Sequence, residues 1–363
     1  MTNSIFHELF VLELANNHLG KLERGLRIIR EHSQVVRFNN ARATIKLQLR
    51  DVDSFVHKDF RARADIRYVK KTLDTRLSKE ALGEMAHAVR VGGCLVSATP
   101  FDEASVDLCA KLNLDLIKLA SSDINDWFLI EKIATLHKPV IASTGGSSLR
   151  DIDDLVKFFG NRGIPFAINH CVAIYPSEDA ELELNQIDFL RARYRDLVIG
   201  FSTHEYTDWR SSIMLAYAKG ARTFERHIDV EEEGVPVSPY CSLPHQIDTW
   251  IKACKKAKEM CGGSRIERRF IPPKERKYLD ALVRGVYARR DLPVGHVIQH
   301  ATLLEDFYLA IPLQKGQMSC RELMTGEVLV QPLKQDEPLR IDHIDSPYAR
   351  DPALRQAIYD RGL

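Results

Sequence analysis

The chain has 363 residues, 45% hydrophobic and 28% charged, with 51 Lys plus Arg against 50 Asp plus Glu. That length exceeds one ordinary core and predicts a large domain plus a small one, while the balanced charge excludes a global field for nucleic acid or an anionic membrane. Seven scattered cysteines without a C-x-x-C pair, no apolar run near the roughly 18 residues of a membrane span, and no signal-like segment in Met1–Glu8 predict a cytoplasmic protein with reduced thiols.

Short apolar runs alternate with segments of helical period. Strands are expected at 8–14, 43–49, 94–98, 114–119, 138–143, 165–171, 197–202 and 222–227, with helices at 21–32, 79–91, 103–112, 126–136, 150–159, 182–194 and 208–219. Ser78 and Asp102 stand where N-caps belong. Eight strand–helix units in about 260 residues predict an α/β fold, a (β/α)8 TIM barrel. A doubly wound open sheet is the alternative, but the first loop, Ala15-Asn16-Asn17-His18-Leu19-Gly20, lacks the G-x-G-x-x-G phosphate fingerprint. The barrel is expected to span 1–264. A basic, proline-bearing linker follows at 265–280, then a small all-β domain at 281–348 and a polar helical tail at 349–363.

The predicted strand ends concentrate polar groups. Glu13 closes the first strand, and Lys46 and Gln48 alternate on the second and so share a face. Thr99 follows the third, Lys118, Ser121 and Asp123 surround the end of the fourth, and Ser143 and Thr144 end the fifth. His170 and Tyr175 follow the sixth, Ser202 and His204 finish the seventh, and Glu225 and His227 lie on the eighth. Barrel interiors are normally apolar, so lysines and a glutamate there require partners or ligands. A single lysine could simply pair with Glu13 or Asp123, and one histidine could be a satisfied core residue. Taken together, Lys46, Lys118 and the serines describe a site for a small polyanion. His204 and His227, ending adjacent strands, could hold a divalent metal with open positions.

These motifs resemble the bacterial N-acetylneuraminate (sialic acid) synthases over nearly the whole chain. The matching runs are Glu13 to Gly20, Lys46-Leu47-Gln48, Thr99-Pro100-Phe101-Asp102, Lys118 to Asp123, Lys138 to Gly145, His170-Cys171 with Tyr175-Pro176, Ser202-Thr203-His204 and Glu225-Arg226-His227. Arg284-Gly285-Val286-Tyr287-Ala288 and Asp291 to Gly295 resemble the family's antifreeze-like (SAF) domain. The resemblance implies condensation of phosphoenolpyruvate (PEP) with an open-chain aldose, giving a 2-keto-3-deoxy acid and phosphate. It implies Glu13 as the catalytic acid/base and Lys46, Gln48, Thr99, Lys118, Ser121, Ser143 and Ser202 around PEP. Asp123, Tyr175 and Arg284 would face the acceptor, and His204 and His227 would hold Mn2+ or Mg2+. It further implies a homodimer in which the SAF domain of one chain caps the other's barrel.

Departures from the family concern the acceptor. Ala173 stands where a polar residue is usual, and Ser202-Thr203-His204 replaces Ser-Asp-His. The run Val235 to Pro244 has no acidic residue where sialic acid synthases present an aspartate to the sugar, so N-acetylmannosamine is expected to be a poor substrate. Two alternatives stay open. A phosphorylated aldose, as in the KDO-8-phosphate synthases, could be held by Arg61, Arg63 or Lys70. A carbohydrate-binding protein could have kept the barrel without turnover.

Overall fold

The structure, a computed structural model, describes residues 5–263, 267–323, 325–345 and 349–362. Two compact units divide after Gly262. In the first, eight parallel strands follow one another around a closed barrel: β1 (Leu9–Ala15), β2 (Ala43–Leu49), β3 (Leu95–Pro100), β4 (Leu116–Leu119), β5 (Val140–Ser143), β6 (Phe166–Cys171), β7 (Val198–Thr203) and β8 (Thr223–Ile228). β1 pairs with both β2 and β8, which closes the ring, and the short β9 (Cys241–Ser242) adds to β8. The expected (β/α)8 barrel is the observed fold.

The strands read as apolar runs because both faces are covered. Outward side chains such as Phe10, Leu12, Ile45, Ile168 and Phe224 join the helices in the main core. Inward ones at the opposite end, Leu9, Val11, Leu116, Ile141 and Ala167 with Phe6 beneath them, form a separate apolar plug. Burying each such large aliphatic side chain stabilises the fold by about 1.5–3 kcal/mol, and the plug makes this end a floor rather than a pore.

Caps set where the helices begin. Ser78 Oγ accepts from Ala81 N at 3.1 Å, and Asp102 Oδ1 accepts from Ser105 N at 2.7 Å. Three α-helices of this unit lie outside those expected from the sequence, Val52–Phe55, Arg67–Asp74 and Pro244–Cys261.

The second unit pairs Gly285–Ala288 with Phe307–Ala310 and Val328–Leu329 with Ile344–Asp345, both antiparallel. Val286, Ile298, Met318, Leu339 and Ile341 fill its core. Two sequence expectations need correction here. The expected linker contains a helix, Pro273–Asp280. The expected helical tail is present as Pro352–Tyr359, but it is not polar all round, because its Ile358 is fully buried in the second core. The tail's amphipathic spacing is real, but its apolar positions are sparse and hard to see in sequence.

Candidate active site

Strand alternation builds the site in layers above the plug. A first polar layer holds Thr44, Ser97, Asn169 and Thr223, all fully buried. Above it, Glu13, Lys46, Thr99, Lys118, Ser143, Cys171, Ser202 and Glu225 line a cavity of about 360 Å³, and Gln48, Ser121, Tyr175, His204 and His227 complete its wall. Eleven of the thirteen site residues expected from the sequence therefore line one cavity at the C-terminal ends of the strands.

Four charges occupy the cavity floor. Lys46 pairs with Glu13, donates to Glu225 at 2.8 Å and reaches Thr99 Oγ1 at 3.3 Å. Lys118 donates to Ser143 Oγ at 2.7 Å and lies 3.7 Å from Glu225. Two cations and two carboxylates, all almost fully buried, thus balance one another. Their proton affinities diverge. Burial pushes the Glu13 carboxyl up, more than Lys46 offsets. Burial also acts on Glu225, but Lys118 and Lys46 together outweigh it and hold that carboxyl down. Burial lowers Lys118, with Glu225 opposing. Lys46 is raised, because Glu13 and Glu225 overcome its burial. Paired carboxylates pushed apart in this way suit different tasks, one exchanging a proton and one fixed as an anion.

Around Lys118 the hydroxyls gather. Gly145 N donates to Ser121 Oγ at 3.0 Å, and a Cβ on Gly145 would come within 2.9 Å of both Ser121 Oγ and Ala173 Cβ. Only glycine lets the backbone approach the cavity there. Together with Ser143 and Ser202 this is a cradle of donors on a cationic base.

The histidines form the upper wall. His204 Nδ1 donates to Val172 O at 3.0 Å, which leaves its Nε2 lone pair free; burial lowers its proton affinity to about 4. Burial and the neighbouring His204 keep His227 well below its usual value, and His227 Nδ1 is buried without a partner. The two rings lie 5.4 Å apart, with Tyr175 3.8 Å from His204 and Tyr240 5.2 Å from His227. Two neutral imidazoles with unused nitrogens fit a cation shared with water or substrate. Among the described residues no group of three His, Cys, Asp or Glu side chains could hold a metal alone. Behind this wall Arg226 points outward and donates to Glu205 at 2.6 Å, tying the residues that follow His204 and precede His227 to each other.

One expected residue of the barrel is not brought into this cavity. Asp123 sits on a 3-10 turn, Ser121–Asp123, where strand alternation has ended, and it bonds Ser122 instead. Arg284 is an exposed residue of the second unit, just before Gly285–Ala288. His170 turns away as well: its Nε2 bonds Leu182 O at 2.8 Å and its ring stacks on Phe201. Nor are Arg61, Arg63 and Lys70 free for a phosphate, since they bond Asp53 O, Asp65 and Asp74. Arg50, Arg67 and Lys71 form no ion pair among the described residues. Arg50 donates to Gln48 Oε1 at 3.0 Å and covers the Phe101 ring at 3.7 Å. Burial and the charges of Arg50 and Arg67 lower Lys71, and Lys71 in turn contributes to lowering His227. Sequence reasoning missed Glu225 as a site residue, although its two-residue spacing from His227 placed both on one face. It also missed Cys171 and Asn169, while Tyr240, expected from the sequence to help form a dry wall toward the acceptor with Val237 and Pro239, packs beside His227.

Comparison with known proteins agrees with this geometry. Residues 38–265 match the NeuB family and residues 283–345 the SAF domain. The chain is 25% identical to the N,N'-diacetyllegionaminic acid synthase of Campylobacter jejuni, covering 92% of this chain and 98% of that protein. It is 27% identical to the N-acetylneuraminate-9-phosphate synthase of Drosophila melanogaster, over 67% of this chain and 70% of that one. A Chromobacterium violaceum structure, provisionally assigned as spore coat polysaccharide biosynthesis protein E, is 35% identical with a TM-score of 0.89, covering 93% of this chain and all (100%) of that one. The sialic acid synthetase structure of Leptospira borgpetersenii, in complex with citrate, is 25% identical with a TM-score of 0.66, over 77% and 93%. The barrel with its charged, histidine-walled cavity and the β domain after it thus belong to the NeuB family, the sialic acid synthase family, with a C-terminal SAF domain.

Proposed function

We propose that the protein condenses PEP with the open-chain aldehyde of a sugar. C3 of PEP bonds to the aldehyde carbon, water adds at C2, and the C2–O bond to phosphate breaks, leaving a 2-keto-3-deoxy acid and inorganic phosphate. The carrying observation is the placement of Lys46, Lys118 and the serine cradle opposite two neutral imidazoles in one cavity. Lys46 with Thr99 suits the carboxylate of PEP, and Lys118 with Ser121, Ser143 and Ser202 suits its phosphate. Glu13, the carboxyl with raised proton affinity, is poised to pass a proton to the aldehyde oxygen or take one from water, with Gln48 Nε2 donating to it at 3.4 Å. Glu225 stays an anion and neutralises the lysines. His204 and His227 would hold a divalent cation, Mn2+ or Mg2+, which acts as a Lewis acid toward the aldehyde when bound.

The same proposal includes a homodimer in which the SAF domain supplies Arg284 to the acceptor. A second reading concerns the acceptor itself. Arg50, Arg67 and Lys71 carry positive charge without a direct ion pair among the described residues, which favours an aldose bearing a phosphate or carboxylate. Phosphate release from PEP with neutral aldoses, N-acetylmannosamine among them, and with their phosphorylated forms separates the readings. Release with no aldehyde would contradict the proposal; a preference for phosphorylated aldehydes would select the second reading.

A further inference from the structure

Under the cavity floor, one hydrogen bond crosses a strand at a position that has no side chain. Thr223 on β8 donates its hydroxyl to Asn169 Oδ1 on β6, two strands away. Between them β7 presents Gly200, the partner of Asn169 in the β6–β7 register. A Cβ there would lie 2.7 Å from Thr223 O and closer still to Thr223 Oγ1 and Asn169 Oδ1. The Asn169 amide then turns its Nδ2 upward and donates to Glu225 Oε2 at 3.3 Å.

The opposite side of the same layer shows what a purely structural polar pair looks like. Thr44 satisfies its hydroxyl on Ser97 Oγ at 2.8 Å and Leu95 O at 2.9 Å. Neither residue has a bond to a cavity carboxylate. Asn169 differs because its acceptor end is taken by a hydroxyl below and its donor end by a carboxylate above. A hydroxyl given to Oδ1 fixes which end of the amide faces up, since the flipped amide would set an oxygen against the Glu225 carboxylate. Glu225 in turn divides its oxygens: Oε1 accepts from Lys46 at 2.8 Å, while Oε2 faces Asn169 and, at 3.7 Å, Lys118.

We propose that Asn169, oriented by Thr223 through the gap left at Gly200, is a positioning residue that locks the Glu225 carboxylate between Lys46 and Lys118 and so holds both ammonium groups in place for PEP. The part concerning PEP rests on the proposed function; the locking itself does not. Without the amide donor, Glu225 is free to rotate about its last torsions and carry Lys46 with it.

The test compares Thr223→Val and Asn169→Leu, which keep volume but remove the hydroxyl or the amide, with Thr223→Ser, which keeps the hydroxyl. Crystal structures of the unliganded full-length variants report the Glu225 carboxylate, and calorimetry reports PEP affinity. The proposal expects a displaced carboxylate and PEP binding weaker by about three- to tenfold in the Val and Leu variants, with the Ser variant at the parental value. If Asn169→Leu does not fold, the Val and Ser pair decides. An unmoved carboxylate overturns the proposal, as does a displaced one with parental PEP affinity. A parent that binds no PEP refutes the proposed function instead, and the carboxylate position alone then decides the locking.

Discussion

Glu13 and Glu225 share the Lys46 ammonium, yet they differ in their other partners. Glu13 Oε1 accepts from Ala15 N at 2.8 Å and from Gln48, close to the histidines, whereas Glu225 is held by both lysines. Glu13→Gln should therefore leave PEP binding within a few fold and lower kcat by roughly 10²-fold, the scale of a positioned acid/base. Steady-state kinetics beside calorimetry checks this, and parental turnover would reduce Glu13 to a structural partner of Lys46. Removing Lys46 and Glu13 together should be milder for stability than removing Lys46 alone, because the single change leaves buried carboxylates uncompensated. Chemical denaturation of the two variants and the parent reads that difference. His204→Ala should lose Mn2+ binding, measured by electron paramagnetic resonance, without loss of the fold; unchanged Mn2+ affinity would remove His204 from the cation site.

At the scale of elements, the helix Leu22–Phe38 buries His32 completely, with Nδ1 3.0 Å from Ile28 O, and burial lowers its proton affinity to about 4. The unfolded chain binds that proton near pH 6.5, so between about pH 6.5 and 4 the unfolded state holds more protons and stability must rise with pH. Urea unfolding from pH 5 to 6.5 should show this rise, and His32→Gln should reduce its slope by His32's share, the other buried histidines keeping theirs; an equal slope in the variant would contradict the assignment. Most elements were legible because parallel strands covered on both faces read as apolar runs ending in polar residues. The same alternation located Lys46, Gln48 and His227 in the cavity. It failed where the backbone stops being a strand: Asp123 lies on a 3-10 turn, and Tyr240 reaches the histidines from a loop. The helix Arg67–Asp74 is obscured by its charges, and in sequence alone Arg61, Arg63 and Lys70 read as available cations. Their local acceptors are set by turns that the sequence does not display. Glu225 and Asn169 escaped because each sits beside a more conspicuous residue, His227 and His170.

The whole molecule divides into a barrel closed by its own hydrogen bonds and a second unit with its own core. A chain ending at Gly262 should therefore remain folded and monodisperse, while its kcat/KM for the acceptor falls and its affinity for PEP stays near the parental value. Full acceptor efficiency in the truncated chain would exclude a role for Arg284 and the cap. No helix among the described residues is long and apolar enough to cross a membrane. The central claim is that one cavity joins PEP to an aldehyde. Its most direct measurement is the simultaneous yield of inorganic phosphate and 2-keto acid from PEP, with and without each candidate aldose, on the full-length protein supplied with Mn2+. Equal amounts of the two products, formed only when PEP and an aldose are both present, are the predicted result. Phosphate without keto acid, or keto acid without consumption of the aldose, would contradict it.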